Sequence, residues 1–348
     1  MKLIVLVIYV LCEFEGIVSS ENDEIINSIS SKSIYSPEIH AELFSPSLGL
    51  TWDHYLTLDE INNFIDHVGE KYSDFVTVHV AGYSDEGNPI KIVEVLSGNR
   101  SANKIWIDGG IHGREWVTPS AMLLILFQLV VRRESNSEAM RGVDFYVCPV
   151  INPDGFDYSR RFSKFWRKNR RVINNHCLGV DLNRNWIYQP EHSDVHEEKC
   201  RDIYPGPFPF SEPETQALKT FLEQNKNNMK AFLTFHTFGE MIMIPYGYKS
   251  ALPEDYDDLE RLANHIVQNI TLHGGPQYKV VNTYDYSGFS VGGLDDYAKE
   301  VLGIKYTYTV ELRDNGTYYF FLPEHLILPT SIDALVVAAT VAEEVYRI

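Results

Sequence analysis

Three things are scarce in this 348-residue chain: cysteine, with four residues, basic charge, with 30 Lys and Arg against 48 Asp and Glu, and long apolar runs. Each scarcity excludes something. A net charge of -18 with short basic clusters argues against nucleic acid or an anionic membrane surface as partner, and favours a cationic substrate. Spanning a bilayer takes about 18 or more consecutive apolar residues. The run from Leu3 to Cys12 is too short, and no later run is long enough. Lys2, that apolar run and the small residues Val18-Ser19-Ser20 instead have the layout of a cleaved secretory signal ending at Ser20. The expectation is a secreted protein, 1–20 being removed, with no membrane contact.

The few cysteines fit an oxidising compartment. Cys12 leaves with the signal. Cys177 and Cys200 flank a loop rich in Asn, His, Asp and Glu, which a bridge between them would close. Cys148 lies in the strand pattern Val143-Asp144-Phe145-Tyr146-Val147-Cys148 and reads as a buried free thiol. Sequons at Asn99, Asn269 and Asn315 are compatible with glycosylation.

What is abundant is apolar and aromatic material, 44% and 13% of the residues, ample for a large core. Residues 21–48 are polar and aperiodic and read as a short leader. Behind the N-cap Thr57, Leu58 to Tyr72 is an amphipathic helix. Strands are expected at 75–81, 90–96, 104–108, 143–148, 231–235, 241–245 and 304–312, and helices at 119–131, 213–225, 255–272, 295–302 and 331–346. Asn152-Pro153-Asp154-Gly155 reads as a turn, and from about 156 to 212 no long periodic element appears. A stretch that long in a compact domain is usually functional. Strands alternating with helices, without internal repeats, predict one α/β domain over 49–348, with a mixed, mostly parallel sheet and helices on both faces.

The centre of that pattern is Gly110-Ile111-His112-Gly113-Arg114-Glu115-Trp116, which follows the apolar strand Lys104-Ile105-Trp106-Ile107-Asp108. An α/β sheet binds ligands beyond the carboxyl ends of its strands. An imidazole and a carboxylate three residues apart there can turn toward one point and suit zinc. Alone, His-x-x-Glu is a weak signal, and a polar loop cap is the plainer alternative. Two more polar residues end apolar strands: His236 after Phe232-Leu233-Thr234-Phe235, and Glu311 after Tyr306-Thr307-Tyr308-Thr309-Val310. A strand-end histidine is usually structural. A carboxylate after five such residues is less ordinary, because burying it unpaired costs on the order of several kcal/mol.

With these residues in view the chain resembles the zinc metallocarboxypeptidases of the pancreatic A and B type. The resemblance runs from about Thr51 to the C-terminus and rests on blocks in order: the His112–Trp116 block, Asn152-Pro153-Asp154-Gly155, Trp166-Arg167-Lys168, Gly179-Val180-Asp181-Leu182-Asn183-Arg184-Asn185-Trp186, Phe235-His236-Thr237, and Ile304-Lys305-Tyr306 through Glu311-Leu312-Arg313-Asp314. It implies that His112, Glu115 and His236 hold one catalytic zinc, with Asp181 behind His112. It implies Glu311 as general base and Arg167 as the group that stabilises the oxyanion. Asn183 and Arg184 would grip the substrate's terminal carboxylate, confining cleavage to the last residue of a peptide or protein. Arg114 would assist further out. The positions of Cys177 and Cys200 also resemble the family's disulfide, and a monomer is expected.

Within Gly292-Gly293-Leu294-Asp295, the resemblance places Asp295 at the floor of the pocket for the last side chain, where A-type enzymes carry an apolar residue and B-type enzymes an Asp. A carboxylate there pairs with Lys or Arg and repels apolar side chains; the alternative is that Asp295 only caps the following helix. Three features depart from the pattern. Gly288 stands where the family has a mobile tyrosine, with Tyr286 and Phe289 near but off register. Phe238 replaces a second subsite tyrosine. The 21–48 leader is shorter than an inhibitory pro-domain. These departures favour, as an alternative, a carboxypeptidase-like peptide-binding protein with weakened turnover; an enzyme deacylating amino acids with the same trio is a remoter one.

Overall fold

The computed structural model describes residues 50–187, 198–290 and 292–348. The expected signal, the leader and the domain boundary at 49 lie outside the described residues. The chain enters through α1 (Leu58–Lys71), closed at its start by a capping box: the Glu60 N–H donates to Thr57 Oγ1 and the Thr57 N–H to Glu60 Oε2. Its stripe of Leu58, Ile61, Phe64, Ile65 and Val68 is buried, and each such side chain stabilises the fold by about 1.5–3 kcal/mol. There follow β1 (Val76–Tyr83), β2 (Pro89–Val95), β3 (Lys104–Asp108), α2 (Val117–Leu126, continuing as a π turn over Phe127–Val131), α3 (Glu138–Gly142), β4 (Asp144–Cys148) and α4 (Pro153–Arg161). After a long irregular stretch come α5 (Pro213–Asn225), β5 (Met229–Thr237), β6 (Met241–Ile244), α6 (Tyr256–Leu272), β7 (Lys279–Asn282), α7 (Thr283–Ser287), α8 (Leu294–Asp296, running into a π turn over Tyr297–Val301), β8 (Tyr306–Leu312) and α9 (Ile327–Tyr346).

The sequence reading matches most of these elements within a few residues and errs in two ways. Asn152-Pro153-Asp154-Gly155 does not close a turn. The Asn152 side chain accepts from the Gly155 N–H and Pro153 sits in the first turn, so the motif starts α4 inside the region expected to be irregular. α3, β7 and α7 were not anticipated, because four or five residues are too few to show a period.

Among the described residues the strands form one eight-stranded sheet in the order β1-β2-β4-β3-β5-β8-β6-β7. β4, β3, β5 and β8 run parallel at its centre, and β6 pairs parallel with β7. β1–β2, β2–β4 and β6–β8 are antiparallel, so the sheet is mixed, with four of seven pairings parallel. Successive side chains serve opposite faces. Ile105, Ile107, Val147 and Leu233 join the core under α1, α2, α6 and α9. Trp106, Tyr146 and Phe232 face Leu218 and Leu222 of α5, Trp106 stacking on Phe232 at 5.8 Å. Helices thus cover both faces. Among the described residues one helix, Glu324–Tyr346, is long and apolar enough to cross a bilayer by length and composition; 83% of its most apolar 18-residue window is buried inside the fold, which makes it a core helix.

Cys177 and Cys200 are joined, and Cys148 is a buried free thiol whose ionisation burial pushes well up. Asn99 and Asn315 are exposed, whereas the Asn269 carboxamide donates across to Thr340 Oγ1 at 3.0 Å. The carboxyl ends of β3, β5 and β8 lie side by side, with Asp108 opposite Thr234 and His236 opposite Glu311.

Candidate active site

β3 ends at Gly109-Gly110, and Gly110 takes φ +63°, a left-handed turn that side chains disfavour. Gly113 is pressed against α4: a Cβ there would meet Gly155 O at 2.3 Å. The loop is clamped from both sides, the Gly113 N–H donating to Arg167 O at 2.9 Å and Asn152 Nδ2 to Ile111 O at 3.1 Å. These contacts aim His112 and Glu115 at the end of β5. His112 Nδ1 lies 2.7 Å from Glu115 Oε1, His236 Nδ1 lies 3.2 Å from Glu115 Oε2, and the two Nδ1 atoms are 3.2 Å apart. His112, Glu115 and His236 are 3%, 2% and 2% exposed.

The three residues fit a zinc ion. Two imidazole nitrogens and a carboxylate oxygen are a common zinc set, and one ligand atom from each lies within 4.8 Å of the others. Ligands of a tetrahedral zinc at about 2.0–2.1 Å stand roughly 3.3 Å apart, close to the spacing of the two imidazole nitrogens. Electrostatics agree. Burial opposes charge on Glu115, yet the flanking imidazoles hold its carboxyl far below the usual range. Burial also opposes protonation of His236, but Glu115 outweighs it and raises His236 to about 9. Such a cluster attracts a cation.

Asp181 backs the trio, its Oδ1 3.3 Å from His112 Nε2 and its Oδ2 accepting from Arg167 Nε at 2.9 Å. Against burial, the Arg167 guanidinium and His112 hold its carboxyl well below the ordinary value. Arg167, its side chain 11% exposed, thereby keeps a fixed direction along the cavity wall. Glu311, opposite His236 in register, has a sealed Oε2 with no hydrogen-bond partner, and burial pushes its carboxyl up to about 7.

These groups open into a cavity of about 420 Å³. Asn183, Arg184, Asp295 and Asp296 line its inner part. Asn183 Oδ1 accepts from the Leu294 N–H at 2.9 Å, tying the carboxamide to α8. Asp295 Oδ2 accepts from Thr309 Oγ1 at 3.0 Å, and the N-cap of α8 is Gly293 with no side-chain cap, so the capping alternative finds no support. Asp296 accepts from the Gly247 N–H at 2.9 Å; burial and then the neighbouring Asp295 charge push its carboxyl well up. Arg114 is not on the cavity wall. Its guanidinium stacks on the Phe320 ring at 4.1 Å and lies 3.5 Å from Asp202, while Phe320 and Phe238 line the cavity mouth.

Several wall residues escaped the sequence reading, among them Met241, Met243, Thr283, Ser290 and Asp296, and one that it set aside as off register, Tyr286, is on the wall. Asp296 adjoins Asp295 and carried no separate signal. Tyr286, off register for the missing tyrosine, lines the cavity all the same, because the five-residue α7, capped by Asn282, turns it inward ahead of Gly288. That cap was the available signal.

A buried trio of zinc donors beside an unpartnered carboxylate, at the carboxyl ends of parallel strands, defines a metal-dependent hydrolase site. Comparison with known proteins narrows the class. Residues 61–336 match the family model described as zinc carboxypeptidase. The chain is 36% identical over 302 residues to carboxypeptidase B of Astacus astacus, covering 85% of this chain and all of that one. It is 36% identical over 324 residues to human carboxypeptidase B2, covering 89% and 75%. Among solved structures, bovine thrombin-activatable fibrinolysis inhibitor in complex with tick carboxypeptidase inhibitor superposes with a TM-score of 0.79 at 35% identity, covering 85% of this chain and 99% of that one. Carboxypeptidase A from Helicoverpa armigera gives 0.80 at 25% identity, covering 92% and 81%. The chain belongs to the zinc carboxypeptidase family. It is a metallocarboxypeptidase, a hydrolase acting on peptide C-termini, and zinc is its metal.

Proposed function

We propose that the protein is a secreted, monomeric exopeptidase whose catalytic domain spans 49–348, and that it removes C-terminal Lys or Arg from peptides and proteins. The observation that carries the basic preference is the Asp295 carboxylate, 6% exposed, on the inner wall of the cavity, with one oxygen held by Thr309. A guanidinium or ammonium entering there pairs with a buried carboxylate, whereas an apolar side chain would leave it desolvated and unpaired. Two relatives carrying the B designation support the same reading.

In this reading His112, Glu115 and His236 hold the zinc, which when bound supplies Lewis acidity to the attacking water and to the scissile carbonyl. Asp181 fixes the His112 ring. Arg184 and Asn183 hold the terminal carboxylate, so that only a chain end is admitted. Glu311 takes the proton from the attacking water and passes it to the leaving amine. Arg167, kept straight by Asp181, faces the oxygen that gains charge. Arg114 acts beyond the cavity, through Phe320.

The test is turnover measured side by side on blocked peptides ending in Arg, Phe and Glu. The Arg-ended peptide should be cleaved at least about 100-fold faster than the Phe-ended one, given the energy of a buried charge pair. Equal or faster release of Phe would overturn the preference.

A further inference from the structure

The imidazole of His112 has a carboxylate behind it. The imidazole of His236 has a two-step arrangement instead. Its Nε2 lies 3.5 Å from Thr234 Oγ1, two residues back on the same face of β5. Thr234 is in register with Asp108 at the end of β3, and its hydroxyl donates to Asp108 Oδ1 at 2.7 Å. The other oxygen, Oδ2, accepts from Trp106 Nε1 at 2.6 Å. Thr234, Asp108 and Trp106 are all 0% exposed, so the network is sealed from bulk solvent.

Proton counting then decides the ring. Both Asp108 oxygens accept. A hydroxyl carries one proton, and that of Thr234 is committed to Asp108, so Thr234 Oγ1 can only accept from the histidine. In the neutral ring that a metal requires, the Nε2 atom must therefore carry the proton, which leaves Nδ1, facing His112 and Glu115 at 3.2 Å each, as the donor. Asn183 Nδ2 also approaches Nε2, at 3.4 Å, and its carboxamide cannot turn to accept because the Leu294 N–H holds its oxygen. Asn183 is thus the neighbour that pulls toward the opposite tautomer, and the buried Asp108–Thr234 pair is what opposes it.

We propose that Asp108, acting through Thr234, is a positioning residue that locks His236 in the Nε2–H tautomer and so presents Nδ1 to the metal. It is the counterpart of Asp181 behind His112, with one hydroxyl interposed. Without it the ring can place its proton on Nδ1, between the imidazoles, where it excludes a cation. The proposal rests on the reading of His236 as a zinc ligand.

The experiment uses the full chain as wild type, Asp108→Asn, Thr234→Val and Thr234→Ser. It reads the zinc dissociation constant by chelator competition, the imidazole nitrogen signals of the zinc-loaded proteins by NMR, and the melting temperature of the metal-free forms. An amide at 108 can donate to Thr234 and turn its hydroxyl toward Nε2, reversing the relay. Asp108→Asn and Thr234→Val should each weaken zinc binding by roughly 10- to 100-fold, the usual consequence of removing a group that orients a metal-binding histidine. Thr234→Ser should stay near wild type, and wild-type His236 should show a proton on Nε2 with zinc on Nδ1. Thr234→Val keeps the side-chain shape, so it decides the matter if Asp108→Asn does not fold. Wild-type zinc affinity in folded Thr234→Val, with only its melting temperature lowered, would reduce the pair to a structural contact and overturn the proposal; so would zinc on Nε2. A wild-type protein that holds no zinc would instead sink the ligand reading on which this one stands.

Discussion

The floor of the cavity and its rim are built by opposite means. On the floor, His236 and Glu311 sit opposite each other on adjacent parallel strands, and His112 and Glu115 sit in a loop clamped by hydrogen bonds to Ile111 and Gly113. The imidazoles and Glu115 are almost wholly buried and their ring and carboxylate atoms point at one another. On the rim, Tyr286 is 56% exposed on a five-residue helix, followed by Gly288, whose Cβ would meet nothing within 4 Å. Sheet register dictates positions at the floor; the rim rests on the Asx cap of α7 and a few hydrogen bonds to the chain at Ile244, Tyr246 and Gly247. The contrast teaches that the proposed reacting groups lie where packing leaves them no alternative, while the residues bordering the cavity entrance lie where the chain is freer to differ. Floor substitutions should therefore cost turnover, and rim substitutions should change preference or affinity.

The largest effect is expected on the floor. Glu311→Gln keeps shape and removes the proposed base, so kcat should fall about 10²–10⁴-fold with zinc content unchanged. Steady-state kinetics beside metal analysis check this. Near-normal turnover in Glu311→Gln would break the comparison outright, since the one unpartnered buried carboxylate oxygen of the site would then do no chemistry.

Asp295 sits at the junction, on the inner wall but behind the reacting atoms. Asp295→Ser should lower kcat/KM for Arg-ended peptides by about 10²-fold or more, the cost of truncating one member of a buried charge pair. Cleavage of Phe-ended peptides should rise. If both substrates lose equally, Asp295 belongs with the floor as a structural group and the division at this point is wrong.

A third substitution tests what holds the floor. Asn169 Nδ2 donates to Glu212 and Glu214, and the Asn169 carboxamide oxygen accepts from the Val180 N–H, just before Asp181 and Asn183. Burial raises the Glu214 carboxyl to about 7 from 4.5. A carboxyl whose folded value is raised binds its proton more tightly when folded, so its contribution is present below about pH 4.5 and lost as pH climbs through 7. At pH 8 the loss is up to roughly 3 kcal/mol. Glu214→Gln should flatten the decline in melting temperature between pH 5 and pH 8, making the variant relatively more stable at the alkaline end. An unchanged slope would show that Glu214 ionises normally.

Legibility followed the same division. His236 and Glu311 stood out because each is a polar end to an apolar strand, and a buried sheet position tolerates that only for a reason. His112 and Glu115 followed a strand with a glycine exit. Asn183 and Arg184 were different. They lie in a one-turn 3-10 segment within a long irregular stretch, where periodicity is silent, and only the resemblance to a family marked them. Asp108 was invisible for the converse reason. An Asp at the end of a strand reads as an ordinary terminus, and nothing local reveals that Thr234, 126 positions away, lies opposite it. The Asn152 motif was visible but misread, since Asn-Pro-Asp-Gly serves a turn or a helix start equally well until its neighbours are known.

The smallest effect belongs to the rim. Tyr286 lines the cavity without a register match to the tyrosine missing at Gly288, and its ring is half in solvent. A phenol so placed can close over a bound chain end and has no hydrogen-bond partner among the described residues. Tyr286→Ala should therefore raise KM several-fold with little change in kcat, the pattern of an interaction equal in ground and transition states. Tyr286→Phe separates hydroxyl from ring: if the hydroxyl reaches the terminal carboxylate, Phe behaves as Ala, and if the ring only covers the cavity, Phe behaves as wild type. A fall in kcat comparable to that of Glu311→Gln would move Tyr286 to the floor, and the freedom of the rim would then be confined to residues farther out.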